Sequence, residues 1–149
     1  MNSKKILPPT YFLICLLASI GVHFILPLKR LVNHPYCIIG IVFIALGIWL
    51  NLWADRLFKA NCTPVKPFEK TTCFIKEGPF RFSRNPMYLG MFLILLGVSV
   101  ALGSLSPLIF AVGFLITMQV IFISHEEKAL EEAFRQDFIN YKKRVRCWI

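Results

Sequence analysis

Four long apolar runs constrain the fold of this 149-residue chain more than any other feature. Each run has 17 to 19 residues, close to the ~20 that an α-helix needs to cross the hydrocarbon core of a bilayer. The chain is 56% apolar, more than a soluble domain of this size could cover with polar surface. We therefore predict an all-α integral membrane bundle of four transmembrane helices, a single domain over residues 1–149. The predicted spans are about 11–28, 36–54, 87–105 and 107–123.

The distribution of basic residues predicts how this bundle is oriented. Of the 17 Lys and Arg residues, all but Lys29 and Arg30 precede the first run, lie in the central loop 55–86 or follow the fourth run. Basic loops stay on the cytoplasmic side, so we expect a multi-pass protein with both termini in the cytoplasm. The net charge of +9 then reflects topology and attraction to anionic membrane lipids. We expect no nucleic-acid partner.

The five cysteines show no CxxC spacing. Under the predicted topology three of them face the reducing cytoplasm, where disulfides are rare. We therefore expect neither a disulfide framework nor a metal site.

Two cytoplasmic elements accompany the predicted spans. The loop 55–86 is rich in aromatic residues, so we expect it to pack against the bundle rather than to act as a disordered linker. After the fourth span, apolar residues recur every three or four positions and predict an amphipathic helix over 125–146. Its apolar stripe consists of Leu130, Phe134, Phe138, Tyr141 and Val145. Glu131 and Arg135 are spaced for an ion pair on this helix.

Two further patterns concern helix packing and buried charge. Glycines lie seven residues apart in the second span (Gly40 and Gly47) and again in the third (Gly90 and Gly97), which permits close approach of two helices. In the tail, Glu127 falls in the middle of the apolar stripe and the preceding glutamate at its rim, at about 100° per residue. A carboxylate that faces the bundle needs a partner. The alternative is that both acids favour a free helix N-terminus.

A second polar group lies at the start of the third span, in "GPFRFSRNPMYLG" (78–90). Each residue has an ordinary explanation. Asn85 can cap a helix, Pro86 suits the first helical position, and Tyr88 suits the membrane interface. Arg81 and Arg84 can be basic flanks. Together with the two glutamates on the same membrane face, however, these residues predict a polar pocket between two helix ends.

Both motifs resemble those of the isoprenylcysteine carboxyl methyltransferase and phospholipid methyltransferase families. These are integral membrane enzymes that use S-adenosylmethionine. Their pattern is G-P-Y-R, R-H-P-x-Y-x-G, a helical hairpin, E-E-x-x-L and F-G-x-x-Y-x-x-Y-x-x-x-V. The likeness runs from about Phe58 to Trp148. It implies that the cofactor is bordered by the backbone near Ile75 and by Phe80, Asn85, Pro86, Tyr88, Gly90, Glu126 and Glu127. Arg81 or Arg84 would position an anionic group of the cofactor or of the acceptor.

The sequence departs from the family pattern in three places. Asn85 replaces His, and Asn cannot accept a proton near neutral pH. Arg135 and Phe138 stand where the pattern has Gly and Tyr. The carboxyl methyltransferases also place an Arg shortly before the acidic pair, where this chain has "VIFIS" with Gln119 and His125 nearby. This last departure weighs against prenylcysteine as the acceptor.

The resemblance implies transfer of a methyl group from S-adenosylmethionine to a lipophilic acceptor at the cytoplasmic interface. The acceptor would be isoprenylcysteine carboxylate-like or phospholipid-like. One alternative is a non-catalytic membrane protein that uses the same fold to bind a ligand or an assembly partner. Another is an NADPH-dependent membrane reductase, which shares a similar helical core but belongs to a class of much larger chains.

Overall fold

The computed structural model describes residues 7–26, 35–61 and 74–149, and every regular element in these ranges is a helix. The all-α prediction is therefore confirmed for the described part of the chain. The helices are α1 (Pro8–Ile25), α2 (Ile38–Ala60), α3 (Pro86–Leu102), α4 (Leu105–Thr117) and α5 (Ser124–Arg144). A 3₁₀ turn, Gly78–Arg81, precedes α3, and a π-helical segment, Met118–Ile123, joins α4 to α5.

Within the described residues, three helices are long and apolar enough to cross a membrane. They are α1, α2 and the continuous helical run Leu105–Arg144, which is 40 residues long. The third predicted span forms the shorter apolar helix α3, with 17 residues, or roughly 26 Å at 1.5 Å per residue. Its far end lies beside the last turn of α1, where His23 Nδ1 and Ser104 Oγ are 2.7 Å apart.

Close packing of α2 against α3 follows from the glycine pairs. A Cβ atom added at Gly47 would lie 2.5 Å from the carbonyl oxygen of Gly90, and one added at Gly97 would lie 2.6 Å from that of Gly40. Such distances leave no room for a side chain, so the predicted packing role of these glycines is confirmed. On the other side of α3, α4 packs against both α3 and α1.

The buried core lies between α3, α4 and the π-helical segment. Leu95, Ala111, Phe114, Met118 and Phe122 are almost fully buried there. The outer faces of α1 and α2 are instead apolar and exposed, as expected of helices that contact lipid.

The predicted loop 55–86 is wrong at its start because α2 continues to Ala60. Asp55 and Lys59 form an ion pair of 2.6 Å one turn apart, which supports the helix beyond the apolar run. Residues 62–73 of the predicted loop lie outside the described residues. In the described part of the loop, the Phe74 ring lies 5.1 Å from that of Tyr141 and 5.3 Å from that of Phe134, both on the tail helix α5.

The predicted tail helix is present, but it is not one uninterrupted helix over 125–146. Arg135 has φ 40° and ψ −113°, which breaks α5 into two halves. The predicted Glu131–Arg135 pair is wrong, because the break lies at Arg135 itself, and Glu131 instead approaches Lys142 Nζ at 3.9 Å.

The acidic pair does not lie at a free helix N-terminus. The helical run continues from α4 through the π-helical segment into α5. Backbone donors ahead of Glu126 and Glu127 are therefore used within the helix, and the helix-start explanation of this pair is wrong.

Candidate functional site

Glu127 faces the start of α3, where it meets a basic partner from each of two segments. Its Oε1 accepts from Arg84 Nη2 at 2.7 Å and from Arg84 Nε at 3.0 Å, and its Oε2 lies 3.1 Å from Lys142 Nζ. The Arg84 and Glu127 side chains are only 10% and 16% exposed. The expectation that an inward carboxylate requires a partner is confirmed.

The break at Arg135 makes the contact with Lys142 possible. Fifteen residues of straight α-helix would separate Glu127 and Lys142 by roughly 22 Å along the axis. The observed contact of 3.1 Å requires the second half of α5 to fold back toward the first. Since a straight helix was expected, Lys142 was not among the predicted site residues.

Glu126 is held by a hydroxyl group. The Tyr88 hydroxyl donates to Glu126 Oε1 at 2.7 Å. Tyr88 lies in the first turn of α3 and is 8% exposed. The hydrogen bond therefore joins the "RNPMY" motif to the "HEE" motif directly, at the edge of the apolar core.

Asn85 precedes α3 but does not cap it through its side chain. Its Nδ2 donates instead to the carbonyl oxygen of Cys147 at 3.2 Å and lies 3.5 Å from Cys147 Sγ. The backbone N–H of Asn85 donates to Ser83 Oγ at 3.1 Å. The capping explanation of Asn85 is therefore wrong, because its amide is used by the segment that follows α5.

That segment, Val145–Trp148, is called the strap below. Its main chain lies against the residues before α3. Arg84 N–H donates to the carbonyl oxygen of Arg146 at 3.0 Å. Arg84 Nη1 donates to those of Val145 and Lys142, at 3.0 and 3.1 Å. The guanidinium thus ties the strap and the end of α5 to Glu127.

The strap is also attached to the π-helical segment. Gln119 Oε1 accepts from Trp148 Nε1 at 2.8 Å and from Cys147 Sγ at 3.4 Å. Trp148 and Cys147 pack against the core cluster that contains Tyr88 and Phe122. Burial raises the pKa of the Cys147 thiol, and the nearby Glu127 carboxylate raises it further, so the thiol form is favoured.

Three other predicted site residues lie before α3 or at its first position. Phe80 is 7% exposed, its carbonyl oxygen accepts from the Tyr141 hydroxyl at 2.6 Å, and its ring contacts that of Phe58. Pro86 is buried at the first position of α3, and Ile75 is half-buried in the segment before the 3₁₀ turn.

Two predicted residues point elsewhere. Gly90 faces α2, since a Cβ added there would lie 2.8 Å from the carbonyl oxygen of Gly47 and would also meet the Asn51 side chain. Arg81 is exposed at the end of the 3₁₀ turn. The structure thus brings together five of the predicted residues, namely Arg84, Asn85, Tyr88, Glu126 and Glu127.

Sequence reasoning missed four residues that complete the group, namely Ser83, Lys142, Cys147 and Trp148. It noted a fifth, Gln119, only as a polar residue near the acidic pair. Gln119 carried a visible signal, because a long polar side chain inside an apolar run needs a partner. Over the described ranges 7–26, 35–61 and 74–149, no cluster of His, Cys, Asp and Glu could hold a metal ion.

Comparison with known proteins agrees with the resemblance noted in the sequence. A search of curated proteins gave no match. The family model for phospholipid methyltransferases matches residues 36–137, a range that begins just before α2 and includes both the "RNPMY" and "HEE" motifs. More than half of the chain is matched, and the protein therefore belongs to the phospholipid methyltransferase family.

Proposed function

We propose that the protein transfers a methyl group from S-adenosylmethionine to a lipophilic acceptor at the cytoplasmic membrane interface. One observation carries this proposal: the two motifs that resemble the methyltransferase pattern meet through the Tyr88–Glu126 hydrogen bond and the Arg84–Glu127 ion pair. Membership of a methyltransferase family supports the reaction type.

The donor set at the site suits S-adenosylmethionine, which has an amine, ribose hydroxyls, a carboxylate and a sulfonium. The Glu126 carboxylate accepts one hydrogen bond from Tyr88, whereas a carboxylate offers about four acceptor positions. It can therefore also accept from an amine or a ribose hydroxyl. Asn85 adds an amide, whose Nδ2 would have to leave Cys147 to donate to the cofactor, and Tyr88 adds an apolar ring. When bound, the cofactor supplies an electrophilic methyl group and leaves as a neutral thioether.

The protein's own residues would then bind and orient the two reactants and exclude water from them. In-line methyl transfer depends mainly on alignment and on desolvation of the nucleophile. Tyr88 fixes the orientation of Glu126, and Arg84 and Lys142 fix that of Glu127. If the acceptor loses a proton on methylation, we propose Glu126 as the carboxylate that takes it.

The two arginines have different proposed roles. Arg84 already donates to Glu127, Lys142 and Val145, so we assign it to positioning the acidic side chain rather than to binding an anion. Arg81 is exposed on the preceding turn, and we assign it to an anionic group of the cofactor or acceptor.

Among acceptors, the site favours a phospholipid-like headgroup over a prenylcysteine carboxylate. Both cations at the centre of the group, Arg84 and Lys142, are paired with Glu127. Gln119, in the stretch before the acidic pair, accepts hydrogen bonds from the strap. An acceptor carboxylate would therefore compete with Glu127 for its cations. We further propose four spans, with α3 crossing between the site and the opposite end of the bundle.

Binding of labelled S-adenosylmethionine to the detergent-purified protein tests the site. We expect displacement by S-adenosylhomocysteine and none by NADPH. Glu126→Gln, which keeps the shape but removes the charge, should weaken binding by about tenfold or more, as for a charge-assisted hydrogen bond. Glu132→Gln, at an exposed position of the same helix, is the matched control and should bind normally.

Transfer is tested by incubating the protein and the labelled cofactor with phospholipids and, separately, with a prenylcysteine analogue. Label in a phospholipid would support the proposed reaction. Binding without transfer to either acceptor would favour a non-catalytic ligand-binding protein. Displacement by NADPH would favour the reductase alternative and contradict the proposal.

A further inference from the structure

The strap forms hydrogen bonds with polar groups in and next to the "RNPMY" motif. A ligand bound at this motif would need the same groups. The Asn85 side-chain amide is directed at Cys147, with Nδ2 3.2 Å from its carbonyl oxygen and 3.5 Å from its sulfur. The Ser83 hydroxyl donates to the same carbonyl oxygen at 3.3 Å. A main-chain carbonyl thus lies where a cofactor acceptor would have to lie to bind Asn85.

The far end of the strap is held by the Gln119 side chain, and this contact is called the latch. Gln119 Oε1 accepts from the Trp148 indole at 2.8 Å and from the Cys147 thiol at 3.4 Å. The latch is close to the predicted cofactor groups, since Trp148 packs on the core cluster that contains Tyr88. In the described ranges no buried side-chain nitrogen or oxygen lacks a hydrogen-bond partner, so the buried polar side chains of the closed arrangement are paired within the protein.

We infer that the strap is an autoinhibitory closure, which takes the polar groups of the signature in the ligand-free protein and is displaced when the cofactor enters. The inference rests on the proposed function, because the cofactor is the ligand that competes. The Asn85 Nδ2 already lies within hydrogen-bond distance of two acceptors of Cys147, so a ligand that binds this Nδ2 competes with the strap. The apparent association constant is then the intrinsic constant multiplied by the fraction of molecules in which the strap is open.

Trp148→Phe tests the latch because it keeps an aromatic ring and removes the N–H that binds Gln119. The probe is S-adenosylhomocysteine, titrated calorimetrically into the full chain in detergent. Weakening the closed state by one hydrogen bond should tighten binding by about three- to tenfold. Trp49→Phe is the matched control, because Trp49 is 57% exposed on α2, and it should not change binding.

Hydrogen exchange of the wild-type protein provides a second readout that needs no variant. The Arg84 amide donates to the carbonyl oxygen of Arg146 in the closed protein. Saturating S-adenosylhomocysteine should therefore speed exchange of this amide, by about three- to tenfold if one hydrogen bond is released.

The possible outcomes separate the two proposals. If the wild type binds the probe and Trp148→Phe binds it equally or more weakly, the autoinhibitory role is wrong while the proposed function stands. Slower exchange of the Arg84 amide on binding would likewise show that the strap closes over the ligand instead of yielding to it. If neither protein binds the probe, the proposed function fails and this inference fails with it.

Discussion

At the scale of single residues, Arg135 adopts a backbone conformation that suits glycine. Its φ of 40° lies in a region that side-chain-bearing residues avoid, at a cost of about 1–3 kcal/mol. The pattern that the sequence resembles has Gly at this position, and Gly adopts positive φ without strain. The break brings Lys142 back to Glu127, so a strained residue supports the site without touching it.

Arg135→Gly should therefore stabilise the protein. Relief of the strained φ is partly offset by the greater freedom of Gly in the unfolded chain, which leaves a gain of about 0.5–2 kcal/mol. The measurement is the thermal unfolding midpoint in detergent, followed by helical circular dichroism. Ala133→Gly, at an exposed helical position two residues earlier, is the control and should cost about 1 kcal/mol. Equal losses from both substitutions would mean that Arg135 is helical.

Glu127 is the carboxylate on which the site's two cations converge, and its loss should be costly. Glu127→Gln leaves Arg84, only 10% exposed, without its counter-charge, so we expect a loss of about 2–4 kcal/mol in the free energy of unfolding. Glu131→Gln removes a partner that is 48% exposed and 3.9 Å from Lys142, and should cost less than about 1 kcal/mol. Chemical denaturation of both variants in detergent compares them, and similar losses would contradict a buried role for Glu127.

At the scale of elements, the contact between α2 and α3 sets where the site begins. Gly47 and Gly90 bring the two backbones together directly below the first turn of α3, which carries Tyr88. The close approach therefore fixes α3 against α2 at the end where the polar group is built. Gly90 matches the family motif, but in this structure its place is explained by packing.

Gly47→Ala should destabilise this contact. The added Cβ would lie 2.5 Å from the Gly90 carbonyl oxygen and 2.7 Å from Ile94 Cγ1, and a backbone atom cannot move away cheaply. We expect a loss of about 1–3 kcal/mol in the free energy of unfolding. Gly113→Ala in α4 is the control, because a Cβ there meets nothing within 4 Å, and it should gain about 0.5–1 kcal/mol. A gain in both variants would contradict close packing of α2 on α3.

The elements differ in how far the sequence predicts them, and the reasons are physical. The positions of the apolar helices follow from the lengths of the apolar runs, and the inward Glu127 follows from the period of the tail helix. The end of α2 cannot be predicted in this way, because charged residues such as Asp55 and Lys59 can continue a helix as readily as they flank one. The break at Arg135 leaves no local signal, because Arg is a good helix former. The strap is too short to show a periodic pattern, so its contact with Asn85 could not be predicted. Asn85 was therefore expected to cap α3, which its side chain does not do.

At the scale of the whole molecule, the two ends of the bundle differ in what they contain: one carries the candidate site and the other carries contacts between helix ends. The site gathers residues from α3, the π-helical segment, α5 and the strap at one end. The opposite end is tied by the His23–Ser104 contact and by a hydrogen bond of 2.8 Å from Ser106 Oγ to the Leu26 carbonyl oxygen. α3 thus runs from the site to the last turn of α1. The proposed cofactor, which would come from the cytoplasm, and the proposed lipid acceptor can both reach the site only if the first of these ends faces the cytoplasm.

Labelling of single cysteines with a membrane-impermeant maleimide tests this orientation. Lys143→Cys, at an exposed position near the site, should react only after the membrane is opened, because basic segments stay on the cytoplasmic side. Leu26→Cys, which is 59% exposed at the end of α1, is the matched position and should react in intact cells. Both variants are made in a chain whose native cysteines are replaced by serine. Reaction of both residues on one side would contradict a membrane-crossing α1, and the reversed pattern would place the site away from its cofactor.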